Sequence, residues 1–338
     1  MAFEFSQLHR LLNSWTSQSA PSAHLQEKLQ TLIDTRLAEL PRPGKGQTLD
    51  RWRALAAVAG HDLGLAKLYE GHTDALAIMA ELGADQPAPG TRWGVWAAEP
   101  PHARLRCRFQ SDGSVRLDGR KAWCSGAAQL THALVTAWDE HDRPQLVAVM
   151  LDQPEVEVTA EGWRAVGMAS TASVEVVFSD APGHTVGKSG AYLARAGFWQ
   201  GGAGIAACWY GAAAALAEYL HAACRRRDEP HARAHLGHVD AALKANRAFL
   251  YETARWIDLH PDESAQLQAG RARAITEQTV ETVIRHVGRA LGATPFCQDA
   301  HFARLAADLP VFVRQSHAER DLAGLAELIT EESSPWHL

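Results

Sequence analysis

The segment Trp123-Cys124-Ser125-Gly126 sits between two stretches that read as β-strand. A lone Trp in a strand usually packs in a core. A Trp followed two residues later by a hydroxyl, at a strand edge, can also wall a planar cofactor. Other side chains suit chemistry by type. His231, His235 and His238 stand at i, i+4 and i+7, on one face of a helix, where three imidazoles can bind zinc. No HExxH-type carboxylate accompanies them, and with seventeen His in the chain such spacing arises by chance, so they read as surface histidines and no metal site is expected. Gly197-Phe198-Trp199-Gln200-Gly201-Gly202-Ala203-Gly204 mimics a nucleotide-binding loop, but no strand precedes it. These glycines read instead as a place where a helix comes close to its neighbours.

The elements that must position these groups follow from periodicity. Leu25, Leu29, Leu32, Ile33, Leu37 and Leu40 recur at helical spacing, and Pro41-Arg42-Pro43-Gly44 stops that helix. Asp50 can cap a second helix and Asp62 a third, ending near Gly83. The middle of the chain alternates with period two. Residues 104–109 and 114–117 flank Asp112-Gly113, a hairpin signal, and Asp118-Gly119 reads as a further turn. Strands are expected at 133–137, 145–150 and 173–178. Helix then returns, with one long element expected from Tyr192 to Arg227 and a second from Pro230 to about Ile257. A third, capped by Ser264, ends near Gly292; a fourth starts near Asp299 and carries Pro310. The expected fold class is α+β. It comprises an N-terminal helical domain (1–90), a central antiparallel β domain (91–185) and a C-terminal four-helix bundle (186–338).

Composition narrows the function classes. A net charge of −6 lacks a basic nucleic-acid footprint. The cysteines Cys107, Cys124, Cys208, Cys224 and Cys297 form no CxxC pair, which argues against a zinc ribbon or a disulfide framework and suits a reducing cytoplasm. The stretch MAFEFSQLHRLLNSW has no basic region followed by an apolar core and is not read as a signal peptide. Residues 196–217 are uncharged but hold five Gly, nine Ala and Gln200, too weakly apolar for a membrane span.

The order helices, strands, helices, together with several local stretches over roughly residues 50–325, resembles the acyl-CoA dehydrogenase family. Asp118-Gly119-Arg120-Lys121-Ala122-Trp123-Cys124-Ser125-Gly126 is similar to that family's turn-glycine, Lys, Trp, hydrophobic, Thr/Ser pattern. Gly167-Met168-Ala169-Ser170-Thr171, leading into residues 172–178, resembles the approach to its last β-strand. His61 to His72 looks like the helix before the β domain. The resemblance implies a flavoprotein that forms a dimer or tetramer and binds FAD between the β domain and the bundle. It further implies that Trp123 lies against the flavin and that Ser125 hydrogen-bonds the ring edge that accepts hydride. Trp96, Ala98, Cys124 and Arg227 fall at other cofactor-binding positions.

Departures from the pattern leave several readings open. In the first flavin loop Glu99-Pro100 is present, but Ala98 stands where the family has Thr, and the Gly-Ser-Asp that follows is missing. The family's Arg-x-x-Phe-Gly corresponds loosely to Arg225-Arg226-Arg227-Asp228-Glu229, without Phe-Gly. Desaturating an acyl thioester needs a carboxylate base. The aligned position is Ser316, with His317 and Glu319 nearby; Glu218, in the long helix, is a further candidate. Three functions follow. The first is an FAD-dependent oxidoreductase acting on a CH–CH bond of a CoA- or carrier-bound small molecule. The second is a flavin-dependent monooxygenase, which suits a missing base. The third is a scaffold that has lost FAD or its base.

Overall fold

The computed structural model describes residues 3–15, 24–330 and 336. Four helices come first: α1 (Phe5–Ser14), α2 (Leu25–Asp34), α3 (Thr48–His61) and α4 (Leu63–Glu81). Seven strands follow: β1 (Trp93–Trp96), β2 (Arg106–Phe109), β3 (Val115–Cys124), β4 (His132–Trp138), β5 (Pro144–Met150), β6 (Val156–Val158) and β7 (Val174–Thr185). The remaining helices are α5 (Ala191–Ala194), α6 (Gly197–Gly202), α7 (Gly204–Arg226), α8 (Pro230–Leu259), α9 (Gln266–Leu291), α10 (Thr294–Gln298), α11 (Ala300–Phe312) and α12 (Glu319–Ile329). The chain divides into two compact units. One holds α1, residues 41–63 and the chain from Trp199; the other holds α2, residues through Leu40, and 64–198.

In the β unit the strands run β1-β4-β2-β3-β7-β5, and a further β4–β5 pairing closes the sheet on itself. The expected hairpin is β2–β3, with Arg106 opposite Asp118 and Phe109 opposite Val115. The sheet is not wholly antiparallel, however. β1 pairs β4 in parallel, and β2 meets β4 in parallel at Arg106 and Trp138. The β2–β3 hairpin lies between β1 and β4 in the sequence, and that crossover lets both run the same way.

Asp118-Gly119 is not a turn. β3 continues through it, past a register shift against β7 between Leu117 and Asp118, with Gly119 at φ 120° and its Cα so close to Arg104 O that an added Cβ would lie 3.0 Å from that oxygen. A core of Ala75, Ile78, Met79, Trp93, Leu134, Leu146 and Val186 seats α4 on the sheet. α2 ends at Asp34, short of Leu40, because Arg36 adopts a left-handed φ of 62°. Leu37 stays buried, and its carbonyl accepts a hydrogen bond from Tyr69 Oη.

The helical unit packs α7, α8 and α9 together, with α3 and α11 on α7 and α12 on α9. Gly211 brings α7 against α3 so closely that a Cβ would fall within about 2.1 Å of Ala56 O. Asp50 lies in the first turn of α3 rather than at its cap; Asp258 instead accepts from Thr48 N, Thr48 Oγ1 and Gly46 N. Asp62 is extended between α3 and α4, with its carboxylate 3.7 Å from Arg304. α8 starts as the sequence indicates, with Pro230 in its first turn and Glu229 accepting from His231 N and Ala232 N. Asp299 caps α11 by accepting from Phe302 N, and Pro310 lies inside that helix. Ala265, not Ser264, precedes α9.

The single helix expected from Tyr192 to Arg227 is three: α5, α6 and α7. The break has a local cause. Glu81 accepts from Gly197 N at 2.9 Å and from Arg195 Nη1 at 2.7 Å, and Arg195 is extended at ψ 144°. A side chain on Gly197 would collide with the Glu81 carboxylate, so the chain turns at a glycine that Glu81 captures.

Candidate functional site

The residues around Trp123 form the most strained part of the β unit. β3 pairs β7 through Lys121 opposite Val176 and resumes at Cys124 opposite Val174, so β3 carries one extra residue there. That bulge turns the Trp123 indole outward, 52% exposed, with φ at 61°. Met168 (φ 55°) and Ala172 (φ 26°) are also left-handed, in the segment facing the bulge. Left-handed non-glycine residues cost on the order of 1–3 kcal/mol each and persist only where the surroundings hold them.

Several contacts hold this region. Gly126, at φ 70°, donates its N–H to Thr171 O at 2.7 Å, and a Cβ there would collide with Leu68. Ser125 Oγ and Ser173 Oγ are 2.7 Å apart. Two hydroxyls carry two hydrogens and their mutual bond uses one, so Ser125 can accept from Ser173 and donate its own hydrogen to a ligand. Arg120 bridges Glu161 and Glu175 at 2.8 Å each, which ties the 159–165 segment to the sheet. Trp163 then meets Trp123 edge-on, with centroids 6.1 Å apart at 87°. Its Nε1 is buried without a hydrogen-bond partner among the described residues.

Beneath the bulge, Lys121 is fully buried. Its ammonium donates to Thr136 O and Oγ1 at 2.7 Å each and to Glu99 Oε1 at 3.3 Å. Burial lowers the Lys121 pKa, and the Glu99 charge opposes that. Burial likewise raises the Glu99 carboxyl, but the Thr136 hydroxyl, the Lys121 charge and the Trp138 indole N–H outweigh it and hold the group below its ordinary value. The network anchors the loop after β1 to β3 and β4.

Beside Ser125 a narrow cleft runs between α4 and β1, lined by Lys67, Leu68, Gly71, Trp93, Gly94, Val95, Trp96, Ser125 and Leu130. Trp96 Nε1 donates to Ser125 O at 3.2 Å. His72 Nδ1 accepts from Trp93 N, and burial lowers its pKa to about 4.

The residues singled out by sequence thus have different positions. Trp123 and Ser125 stand together at the surface of the β unit, and Trp96 joins them as a buried neighbour rather than an exposed wall. Ala98 is exposed next to Glu99. Strand alternation turns the Cys124 thiol into the core, where it is fully buried and donates to Lys121 O, and burial pushes its pKa up. Its side chain presents nothing to a ligand. Sequence reasoning does not find Ser173, Thr171 and Trp163; a Ser directly before a strand and a lone Trp in a polar loop are the only local signals.

In the helical unit, Ser316 is buried after a 3-10 turn (Val313–Gln315), and its Oγ accepts from Ala318 N. No helix runs from Ser316 through Glu319; α12 begins at Glu319, which is exposed in its first turn. His317 pairs with Asp321 instead. Glu218 is exposed and pairs with His221. Arg227 caps the end of α7 and, with Arg226, Tyr219, Thr294, Gln298 and Asp299, lines an open cavity of about 410 Å³. Tyr219 Oη lies 3.0 Å from both Asp299 Oδ1 and His301 Nδ1; burial and the carboxylate raise its pKa to about 12. His235 Nδ1 lies 2.8 Å from His286 Nδ1, and His238 stacks on His286. No group of three or more metal-ligating side chains occurs among the described residues.

No protein-family model matches this sequence, and neither does any curated protein. Solved structures do. KijD3 in complex with FMN and dTDP-3-amino-2,3,6-trideoxy-4-keto-3-methyl-D-glucose matches with a TM-score of 0.81 at 20% identity, over 97% of this chain and 92% of that one. The chain has an acyl-CoA dehydrogenase-like fold. Methanesulfinate monooxygenase MsuC from Pseudomonas fluorescens matches with a TM-score of 0.80 at 14% identity, over 98% of each chain. FMN-bound TdsC from Paenibacillus sp. A11-2 matches at 0.75 and 17%, over 95% and 97%. No helix among the described residues is long and apolar enough to cross a membrane.

Proposed function

We propose that this protein is a flavin-dependent monooxygenase that binds FMN against Trp123. The observation that carries the reading is the outward, left-handed Trp123 beside a hydroxyl able to donate. A bulge, a serine pair and an Arg–Glu clasp hold an exposed indole in a costly conformation, as expected where a planar ring is to be stacked. A donor from Ser125 at the ring's reactive edge would stabilise the reduced form. Three of the similar structures support the choice of flavin and of chemistry. Two hold FMN, and MsuC is named a monooxygenase. The missing Gly-Ser-Asp also suits a flavin with one phosphate better than FAD. Bound flavin, once reduced by an external two-electron donor, would supply two electrons to O₂; with two protons, one oxygen atom would enter the substrate and the other leave as water.

The other reading, FAD-dependent desaturation of a CH–CH bond in a CoA- or carrier-bound substrate, needs a carboxylate base. Ser316 hydrogen-bonds its own chain, and Glu319 and Glu218 are solvent-exposed. Loss of all flavin binding would leave the scaffold reading. A homodimer or homotetramer is part of the proposal, with Arg227 in its open cavity offering charge to a phosphate of a neighbouring copy's flavin.

The test is direct. Purified protein is mixed with FMN or FAD, freed of excess and scanned in the visible. The proposal expects an FMN band that Trp123→Ala loses, and product from reduced flavin only when O₂ is present. Retention of FAD alone, with anaerobic bleaching by an acyl thioester, would overturn it in favour of desaturation.

A further inference from the structure

The cleft beside Ser125 contains the one cationic side chain that lines it, Lys67. Lys67 Nζ is 3.1 Å from Glu70 Oε2, and the two side chains are 16% and 20% exposed. Both charges are therefore largely withdrawn from water, and Lys67 stands at the cleft wall. The cleft exists because two glycines face each other. An added Cβ on Gly71 would lie 3.9 Å from Gly94 Cα, and one on Gly94 would run into Leu130 and Trp96 Nε1. Its inner volume is about 10 Å³, room for one water-sized group. A ring does not fit there; a single oxygen of a carboxylate or sulfinate does.

We infer that this cleft is the substrate's anion subsite, where an oxygen of a small carboxylate or sulfinate sits against Lys67 at the side of Ser125. The inference rests on the proposed flavin reading, because Ser125 then marks the reactive edge and the anion fixes which substrate atom lies there. Trp93, Trp96 and Leu130 make the rest of the lining apolar, so the ammonium is the group that distinguishes an anion from a neutral aromatic.

The test titrates methanesulfinate, acetate and neutral indole into the full chain with FMN, by calorimetry. Wild type is expected to bind the two anions at least about tenfold more tightly than Lys67→Met, the scale of a charge-assisted hydrogen bond. Lys67→Arg is expected to recover part of that loss, and indole binding to be the same in all three. Gly71→Ala, whose methyl group enters the cleft without a clash, is expected to weaken anion binding by a similar factor while leaving the fold intact. It keeps the test decisive if Lys67→Met fails to fold. Equal anion binding by wild type and either variant overturns the inference, as does wild-type preference for indole over both anions. Flavin retention is read separately by absorbance. A protein that holds no flavin yet binds methanesulfinate through Lys67 defeats the flavin reading and keeps the subsite.

Discussion

Two short segments carry the residue types of a reactive site, Trp123–Gly126 and Ser316–Glu319, and their environments differ in kind. Around Trp123, three non-glycine residues are left-handed, an indole is half exposed, and a second indole has a buried donor without a partner among the described residues. At Ser316 the polar groups are satisfied locally: Ser316 Oγ takes Ala318 N, and Asp321 takes His317 N and Nδ1. Ala318 is left-handed there too (φ 47°), but as the lead-in to α12. Strain is common to both segments; only the first combines it with exposed aromatic surface and a buried donor without a partner among the described residues.

The largest expected effect tests what supports the first segment. Lys121→Ala empties a fully buried site and removes the donor to Thr136 O, and should cost about 3–5 kcal/mol of stability, read as a urea midpoint. A cost below about 1 kcal/mol would mean that the bulge does not depend on this network.

The second effect is in pH. His72 is neutral in the folded state with a pKa of about 4, against an ordinary 6.5. A depressed folded value means that the unfolded chain takes up the proton first. The contribution is therefore complete above pH 6.5 and is lost as pH falls toward 4, up to about 3 kcal/mol. His72→Gln should flatten that acid limb; an unchanged limb would assign the loss to other groups.

Third, Trp123→Ala should weaken FMN binding by about 1.5–3 kcal/mol, measured by flavin fluorescence. Its folding stability should change little, because lost packing and relieved backbone strain oppose each other. The smallest effect sharpens the contrast. Ser316→Ala should cost less than about 1 kcal/mol and leave FMN affinity unchanged. A large drop in turnover without loss of stability would move the chemistry back to Ser316.

Much of the architecture was legible. The Asp112-Gly113 hairpin, Pro230 at the start of α8 and Asp299 at the start of α11 are local signals, each acting within a few residues, and each appears where the sequence places it. Misreadings arose where a distant group decided. Glu81 breaks the Gly-rich helix at Gly197, and Asp258 takes the cap expected of Asp50. Arg104 O crowds Gly119, where β3 continues through the expected turn. In the site, Trp123 and Ser125 stood out by type and spacing. Their partners Ser173, Thr171 and Trp163 lie some forty to fifty residues later, and no local pattern ties them to the Trp.

The sequence by itself determined the order of helices and strands, the Trp-x-Ser unit and the absence of a carboxylate at position 316, because these depend on residue type and short-range periodicity. Only the tertiary structure decided which way those residues face. A single extra residue in β3 relative to β7 turns Trp123 outward and Cys124 inward, and a one-residue offset becomes visible only once the two strands are paired.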